Sequence, residues 1–441
     1  MIEKNKFYFY SFTILFWLTG TWGFVFQEIA TPLLPATGLV RLFLDVFVII
    51  LGLMTLQKRR DIIIIVSFFA LAYLSSVLLN KESLTTFLNG CREYVGIMFM
   101  FPILRYLLTC KRAEEFKTSL DRQIIIFLAI QWIAIPFQAV KYGVGDHGGG
   151  TLGDGLSGAI STILYIGTFY LVSRNWDADN YFASLRRNWK YLLLLGPSFL
   201  NETKISFIYF FFFFLFLFGF KAKSLFKLLL ALPAISILFT SLGYVYLTAT
   251  GQDIETLTDP EFYEAYLFGI DAENLLEIGE NYQEGDYYDL EDIWAIDLPR
   301  ILKISQTPML LQDCRGGMMF GAGVGQFKGG TTMEKTDFAR RNDFMLRGTI
   351  PMMYDLLVQL GILGVIWYFC AMGSAINFRN KRTPMSLNVK CYIGMIVFLQ
   401  LFYGTLFTYL MVDAIFFFIC LRTQSLSNDH EQVELSNTQQ S

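Results

Sequence analysis

The stretch "FYFYSFTILFWLTGTWGFVF", Phe7 to Phe26, decides the fold class because it contains no charged residue. A helix of roughly 20 apolar residues is long enough to cross a lipid bilayer. The whole chain has the same character, since 54% of its 441 residues are hydrophobic and only 17% are charged. This composition lies outside the range of ordinary soluble domains and predicts a membrane protein.

Apolar runs of similar character recur along the chain. They predict an all-α polytopic membrane protein with about 12 transmembrane helices. The last run predicts two short spans that meet near Gly404. The predicted spans are Phe7–Phe26, Leu39–Leu56, Ile62–Leu79, Tyr94–Thr109, Ile124–Val140, Leu156–Val172, Tyr191–Leu200, Ile205–Phe220, Leu228–Leu247, Pro351–Ser374 and the pair within Cys391–Leu421.

Lysine and arginine in the short loops predict the orientation of these spans. The segments "QKRRD", "CKRAEEFKTSLDR", "KAKS" and "FRNKR" all fall on one side of the predicted bundle. Basic loops face the cytoplasm, so both termini are expected to be cytoplasmic. The first span has no small-residue cleavage site of the expected kind and is interpreted as a retained helix, not as a signal peptide.

A polar segment of about a hundred residues interrupts the spans on the opposite, outward side. Acids dominate its first half, whereas basic residues outnumber acids between Arg300 and Arg347. The predicted organisation is therefore transmembrane helices over 1–247, a large periplasmic loop or cap over 248–350, further transmembrane helices over 351–421, and a disordered cytoplasmic tail over 422–441.

The sequence "FGAGVGQFKGG", Phe320 to Gly330, is the most unusual part of this loop. A dinucleotide-binding motif would need a glycine where Gln326 stands, and a phosphate-binding P-loop would need Gly-Lys-Ser/Thr. Two interpretations remain for Gly321, Gly323 and Gly325. They form a tight turn, or they present backbone N–H groups to an anion.

Basic residues at the predicted outer face form the second candidate feature, because outward loops are normally poor in lysine and arginine. Each cation alone is more typical of a side chain that reaches toward lipid headgroups. Together they would suit a pyrophosphate, since arginine makes bidentate contacts with phosphate oxygens. These residues are Arg92, Lys204, Arg300, Lys303, Arg315 and Arg347.

Ionisable residues inside predicted spans are a third class of candidate. Arg41 and Asp45 lie four residues apart on one helix face, so they are expected to neutralise each other. Asp355 and Asp413 have no obvious local partner and are functional candidates.

Cysteine and histidine give weaker signals. Cys91 and Cys314 face outward and are expected to be unpaired or, less often, bridged. His147 is either a solvated loop residue or a base near the site. No metal-binding spacing is visible, so neither a metal nor another cofactor is expected, and the net charge of −3 indicates no nucleic-acid partner.

The order of these features resembles the O-antigen polymerase and O-antigen ligase family of bacterial envelope glycosyltransferases. The resemblance covers roughly Tyr191 to the C-terminus. It rests on "NETKIS", "LPRILKI", "FGAGVGQF", "LLVQLGILG" with Gly361 and Gly364, and the two closing spans. Ligases usually carry a histidine before the G-x-x-G helix, whereas this chain reads "RRNDFMLRGTIPMMYD" there, which favours a polymerase.

The resemblance implies transfer of a glycan from a polyprenyl-pyrophosphate carrier to a second lipid-linked repeat unit, at the outer face of the bacterial inner membrane. It implies pyrophosphate binding by Lys204, Arg300 and Arg315, with Arg92 and Arg347 as weaker candidates. Glu202 is the implied base, and Asp355 is the alternative base. The implied partners are lipid-linked glycans, the bilayer, a chain-length regulator and a flippase.

Three alternatives remain open at this level. A ligase would differ only in its acceptor. A transporter of lipid-linked glycans would share the layout of twelve spans, but no internal repeat or unwound helix pair is visible in the sequence. A non-enzymatic assembly partner would leave the outward arginines without a shared target.

Overall fold

A computed structural model describes residues 3–29, 37–143, 147–177, 180–201, 205–218, 300–326, 336–346, 349–377, 384–405, 407 and 409–423. The described residues form helices and no strand. In chain order the helices are α1 (Lys4–Phe24), α2 (Thr37–Thr55), α3 (Arg59–Tyr73), α4 (Leu84–Cys91), α5 (Val95–Thr109), α6 (Ala113–Tyr142), α7 (Ser157–Ser173), α8 (Tyr181–Leu192), α9 (Ile205–Phe218), α10 (Arg300–Leu310), α11 (Gly317–Phe320), α12 (Asp337–Arg341), α13 (Met352–Ile376), α14 (Pro384–Tyr403) and α15 (410–423).

Helices occupy the apolar runs that the sequence marked. Most boundaries differ by a few residues, but α6 begins at Ala113, well before the predicted start at Ile124. The run Leu228–Leu247 is the exception, because it lies outside the described residues. The short run at Tyr191 is the end of α8 followed by the 3₁₀ segment Leu193–Phe199. Pro197 within this segment cannot donate a helical hydrogen bond, which accounts for the tighter winding.

Three described helices are long and apolar enough to cross a membrane. They are Arg59–Leu79, Ala113–Tyr142 and Met352–Ile376, and shorter apolar helices include Ser157–Ser173, Ile208–Phe218 and Leu387–Tyr403. Large apolar side chains on α3 and α6 also lie on the surface of the helix bundle, for example Ile63 at 65% and Ile133 at 73% exposure. These features indicate a helical membrane protein. The number of spans, their orientation and the extent of the outer loop stay predictions.

A single large apolar core runs through the bundle and includes α1, α5, α7, α9, α13, α14 and α15. A second, small cluster lies to one side, where Leu311 and Ala322 pack against Tyr354 and Val358 of α13. Through this cluster the segment from α10 to the glycine-rich stretch is seated on the N-terminal part of α13. The described part of the predicted cap is therefore packed against the helix bundle.

Candidate functional site

The glycine-rich segment lies in a break of α13. Gly361 has φ +67° and ψ −164°, so it interrupts the helix and leaves the carbonyl groups before it without helical donors. The Ala322 N–H donates to Val358 O at 2.6 Å, and the Gly323 N–H donates to Gln359 O at 3.0 Å. The segment thus supplies the hydrogen bonds that α13 loses at its break.

The end of α3 holds the other side of this segment. Leu74–Leu79 continues α3 as a π-helix. From it, the Ser75 hydroxyl donates to Phe320 O at 2.5 Å, and the Ser76 hydroxyl accepts from the Val324 N–H at 2.8 Å. Asn80 adds a 3.0 Å bond to Gly321 O. The backbone of the segment is therefore held between side chains at the end of α3 and backbone carbonyls of α13.

Close packing explains why glycine stands at 321, 323 and 325. Their φ angles are +73°, +106° and +88°, a region that L side chains rarely adopt. A Cβ at Gly323 would lie 2.9 Å from Ser76 Cα, and one at Gly325 would lie 2.4 Å from Thr86 O. Of the two interpretations from the sequence, the geometry favours the tight turn.

The N–H groups of these glycines are all engaged within the protein. Gly321 donates to Gly317 O at 2.8 Å, Gly323 to Gln359 O, and Gly325 to Gln359 Oε1 at 2.8 Å. An anion would have to displace these acceptors. These hydrogen bonds support a packing role for the three glycines, and the substrate-binding role expected of them stays a prediction.

Asp355 belongs to a buried hydrogen-bond network beside the segment. Its Oδ2 accepts from the Tyr94 hydroxyl at 2.9 Å, and its Oδ1 accepts from Gln359 Nε2 at 2.7 Å. Gln359 also has a 3.5 Å contact to Glu93 Oε2. Through Gln359 the Asp355 carboxylate is linked to Gly325, so one carboxylate ties α5 and α13 to the glycine-rich segment. Asp355 is only 3% exposed, which suits a positioning residue better than a base that must meet a substrate hydroxyl.

Arg300 lies at the end of α14. Its guanidinium carbon is 4.4 Å from the centre of the Tyr403 ring, within cation–π range. The side chain is partly exposed, and it forms no ion pair with a carboxylate among the described residues. A partly exposed guanidinium that is oriented by an aromatic ring and has no counter-charge in the described part of the chain can accept an anion.

Three other predicted cations lie in the described part of the chain, and each has its own surroundings. Arg315 is exposed and follows the far end of α10, whose 11 residues rise about 16 Å. Lys303 is fully buried and donates to Thr349 O at 3.1 Å. Arg92 forms a 2.9 Å ion pair with Asp45. The structure therefore separates Arg300 and Arg315, and it gives Arg92 and Lys303 protein contacts.

The structure agrees with the expected neutralisation of Asp45 by Arg41 and adds a second cation. Arg41 acts electrostatically on Asp45, and Arg92, from the turn between α4 and α5, also bonds the carboxylate. The spacing of four residues identified a shared helix face. It could not identify a partner that lies 47 positions along the chain.

Glu202, Lys204 and Arg347 lie outside the described residues, but the surroundings of the "NETKIS" break are described. Asn201 donates to Ser157 O at 3.2 Å and to the Ser161 hydroxyl at 2.8 Å. At the start of α9, the Tyr209 hydroxyl bonds Gln400 of α14. Gln400 lies one helical turn before Tyr403, so the start of α9 and the Arg300–Tyr403 pair occupy the same end of the bundle.

Glu82 and two cysteines lie at this end as well. Burial, opposed by a hydrogen bond from Gln326, raises the pKa of Glu82 above its ordinary value of 4.5. Cys91 and Cys314 are both free thiols, and burial raises the pKa of Cys314 to about 11. His147 is exposed and contacts Asp154 at 2.8 Å.

Sequence reasoning missed the neutral members of the site, which are Tyr94, Gln359, Ser76 and Tyr403. No sequence pattern marks such residues, since each acts through a partner remote in the chain. The Gly361–Gly364 pair was the available signal for the break in α13. A scan against protein-family models and a search of curated proteins found no match to the chain.

Proposed function

We propose that this protein polymerises polyprenyl-pyrophosphate-linked oligosaccharide repeat units at the outer face of the bacterial inner membrane, as in O-antigen, capsule or exopolysaccharide synthesis. The single observation that carries the proposal is the Arg300–Tyr403 pair. A guanidinium that has no carboxylate partner among the described residues, fixed at the end of a membrane helix, suits a pyrophosphate leaving group at the lipid boundary.

The reaction moves a glycosyl group between two lipid carriers. An acceptor hydroxyl attacks the anomeric carbon of the donor sugar, the bond from that carbon to the pyrophosphate oxygen breaks, and polyprenyl pyrophosphate leaves. Arg300 neutralises charge on the departing pyrophosphate, with Lys204 as a second cation. Glu202 takes the proton of the acceptor hydroxyl, as the resemblance implies.

Asp355 acts indirectly in this proposal. Its carboxylate orients Tyr94 and Gln359, and Gln359 in turn holds Gly325. The network keeps the glycine-rich segment seated beside α3. Arg315, at the far end of α10, contacts a more distant part of the lipid-linked substrate.

The test is the distribution of glycan lengths on a gel from cells that lack the gene. Wild-type protein is expected to restore a ladder of repeat units. Arg300→Ala, matched for abundance in the membrane, is expected to leave a single-repeat band. Arg341→Ala is the matched control, because Arg341 is an exposed cation on α12, in the same predicted outer loop as Arg300.

Two results would indicate a different function. Long chains that remain unattached to their final anchor in the deletion strain would identify a ligase. Absence of any glycan at the outer face would identify a transporter, which the interruption of α13 at Gly361 also supports, since discontinuous membrane helices form substrate sites in transporters.

A further inference from the structure

Asp413 has an unusual position among the buried acids of the described residues. It is the fourth residue of α15 and is fully buried. Neither of its carboxylate oxygens has a hydrogen-bond partner among the residues that the structure describes. A polar side chain inside a membrane bundle normally has a partner, because no water is present to replace one.

The packing of α5 leaves room for this carboxyl group. A Cβ at Gly96 would lie 1.8 Å from Asp413 Oδ2 and 2.8 Å from its Cγ. Gly96 therefore lets the carboxyl group approach the backbone of α5, and any larger residue would collide with it. The Asp413 carboxyl group is therefore packed closely inside the interface between α5 and α15, not at the protein surface.

The surroundings of Asp413 are almost entirely neutral. From α5 the facing residue is Gly96, and from α15 itself it is Leu410. From α13 it is Tyr368, whose buried hydroxyl interacts electrostatically with Asp413 and likewise has no hydrogen-bond partner in the described part of the chain. Among the described residues, no cation acts on this carboxyl group.

The other buried aspartates show what an ionised carboxylate requires here. Each of them has a cation or hydrogen-bond donors within reach. The partners are Arg92 for Asp45, Arg105 for Asp61, Tyr170 and Arg174 for Asp121, and Tyr94 and Gln359 for Asp355.

We propose that Asp413 is a proton-binding site inside the helix bundle, where the carboxyl group carries a proton at neutral pH. An ionised carboxylate without a partner is strongly disfavoured in an apolar interior, whereas the protonated acid is neutral. A metal cation would require several oxygen ligands, and the described neighbours supply only the Tyr368 hydroxyl. The α5–α15 contact must open before the proton can exchange with water.

This proposal does not depend on the polymerase function. Intramembrane carboxyl groups that gain and lose protons occur in proton relays, so the site gives the bundle a group that can respond to a proton gradient. A polymerase, a ligase or a transporter could each contain it.

The test is infrared spectroscopy of the full-length protein in lipid nanodiscs. Subtracting the Asp413→Asn spectrum from that of wild type is expected to reveal the C=O band of a protonated carboxylic acid, unchanged from about pH 6 to about pH 8. Asp61→Asn is the control, and its difference spectrum should show the band of an ionised carboxylate, because Asp61 is bonded to Arg105.

Loss of an ionised carboxylate band in Asp413→Asn would overturn the proposal. If that variant fails to fold, wild-type protein labelled with carbon-13 at the aspartate carboxyl groups replaces it. The nuclear magnetic resonance spectrum at neutral pH should then contain a protonated aspartate signal, and its absence would overturn the proposal equally.

Discussion

The Tyr94 hydroxyl donates a 2.9 Å hydrogen bond to the Asp355 carboxylate and so joins the start of α5 to the first turn of α13. Both side chains are buried, with Tyr94 at 0% and Asp355 at 3% exposure. Since Asp355 also accepts from Gln359, a change at Tyr94 is transmitted to the glycine-rich segment.

Tyr94→Phe is expected to lower the free energy of unfolding by about 1.5 to 3 kcal/mol, the usual contribution of a hydrogen bond to a charged group. The measurement is denaturant unfolding in detergent, combined with Asp355→Asn in a double-mutant cycle. The two effects should be less than additive, because both variants disrupt one bond. Tyr10→Phe is the control, since Tyr10 is 55% exposed. Strict additivity of the two effects would show that the bond contributes nothing.

Gly323→Ala and Gly361→Ala are each expected to lower the midpoint of thermal unfolding strongly. Both glycines have positive φ, and a Cβ would lie 2.9 Å from Ser76 Cα in one case and 2.4 Å from the Met319 carbonyl in the other. The strain and overpacking together are of the order of 2 to 4 kcal/mol.

Gly373→Ala is the matched control for both glycine variants, because a Cβ there would meet no atom within 4 Å. Thermal unfolding followed by fluorescence-detected chromatography gives the comparison. Equal midpoints for Gly361→Ala and Gly373→Ala would contradict the packing role.

The Arg92–Asp45 pair provides a test that separates structure from substrate binding. Arg92→Met alone is expected to destabilise the protein by about 3 to 5 kcal/mol because it leaves Asp45 as a buried charge without its partner. The double variant Arg92→Met/Asp45→Leu should recover most of that loss. If the pair is structural, the double variant also restores the glycan ladder. A stable double variant that does not restore the ladder would indicate that Arg92 contributes to substrate binding.

The raised pKa of Glu82 predicts a pH-dependent stability. A carboxyl group whose folded pKa lies above the unfolded value contributes stability that is complete below the unfolded pKa and is lost as the pH rises through the folded pKa. Glu82→Gln should therefore raise the thermal midpoint at pH 7 and have a smaller effect at about pH 4.5. The new amide can also donate to Gln326 Oε1, which has no partner among the described residues. A larger stabilisation at acidic than at neutral pH would contradict the sign.

Arg300→Lys separates charge from geometry at the candidate site. Lysine retains the positive charge but loses the planar fork and its stacking on Tyr403. The expected rate of chain extension, measured with lipid-linked repeat units, is intermediate between wild type and an Arg300→Ala variant that is slower by about a hundredfold. Equal rates for the Lys variant and wild type would show that the fork and its contact with Tyr403 are not needed.

The sequence predicted the helices well because the hydrophobic pattern alone decides them. The apolar runs coincide with α1, α2, α3, α5, α6, α7, α9, α13, α14 and α15. It predicted less of the candidate site, since the contacts of Asp355, Arg92 and Arg300 are made by residues far along the chain. The spacing of Arg41 and Asp45 was a local pattern, and the bond with Arg92 is a tertiary one.

By itself, the sequence determined that the chain is helical and apolar enough for a membrane, and that glycines 321, 323 and 325 form a special backbone segment. Composition and hydrophobic periodicity are properties of the local sequence, so they can be recognised without a structure. Only the tertiary structure decided that the N–H groups of this segment bond protein acceptors, that Asp355 is tied to Tyr94, and that Asp413 stands opposite Gly96 without a partner among the described residues. The physical reason is that a hydrogen bond or a collision depends on distances between side chains, and helix packing sets these distances across hundreds of residues.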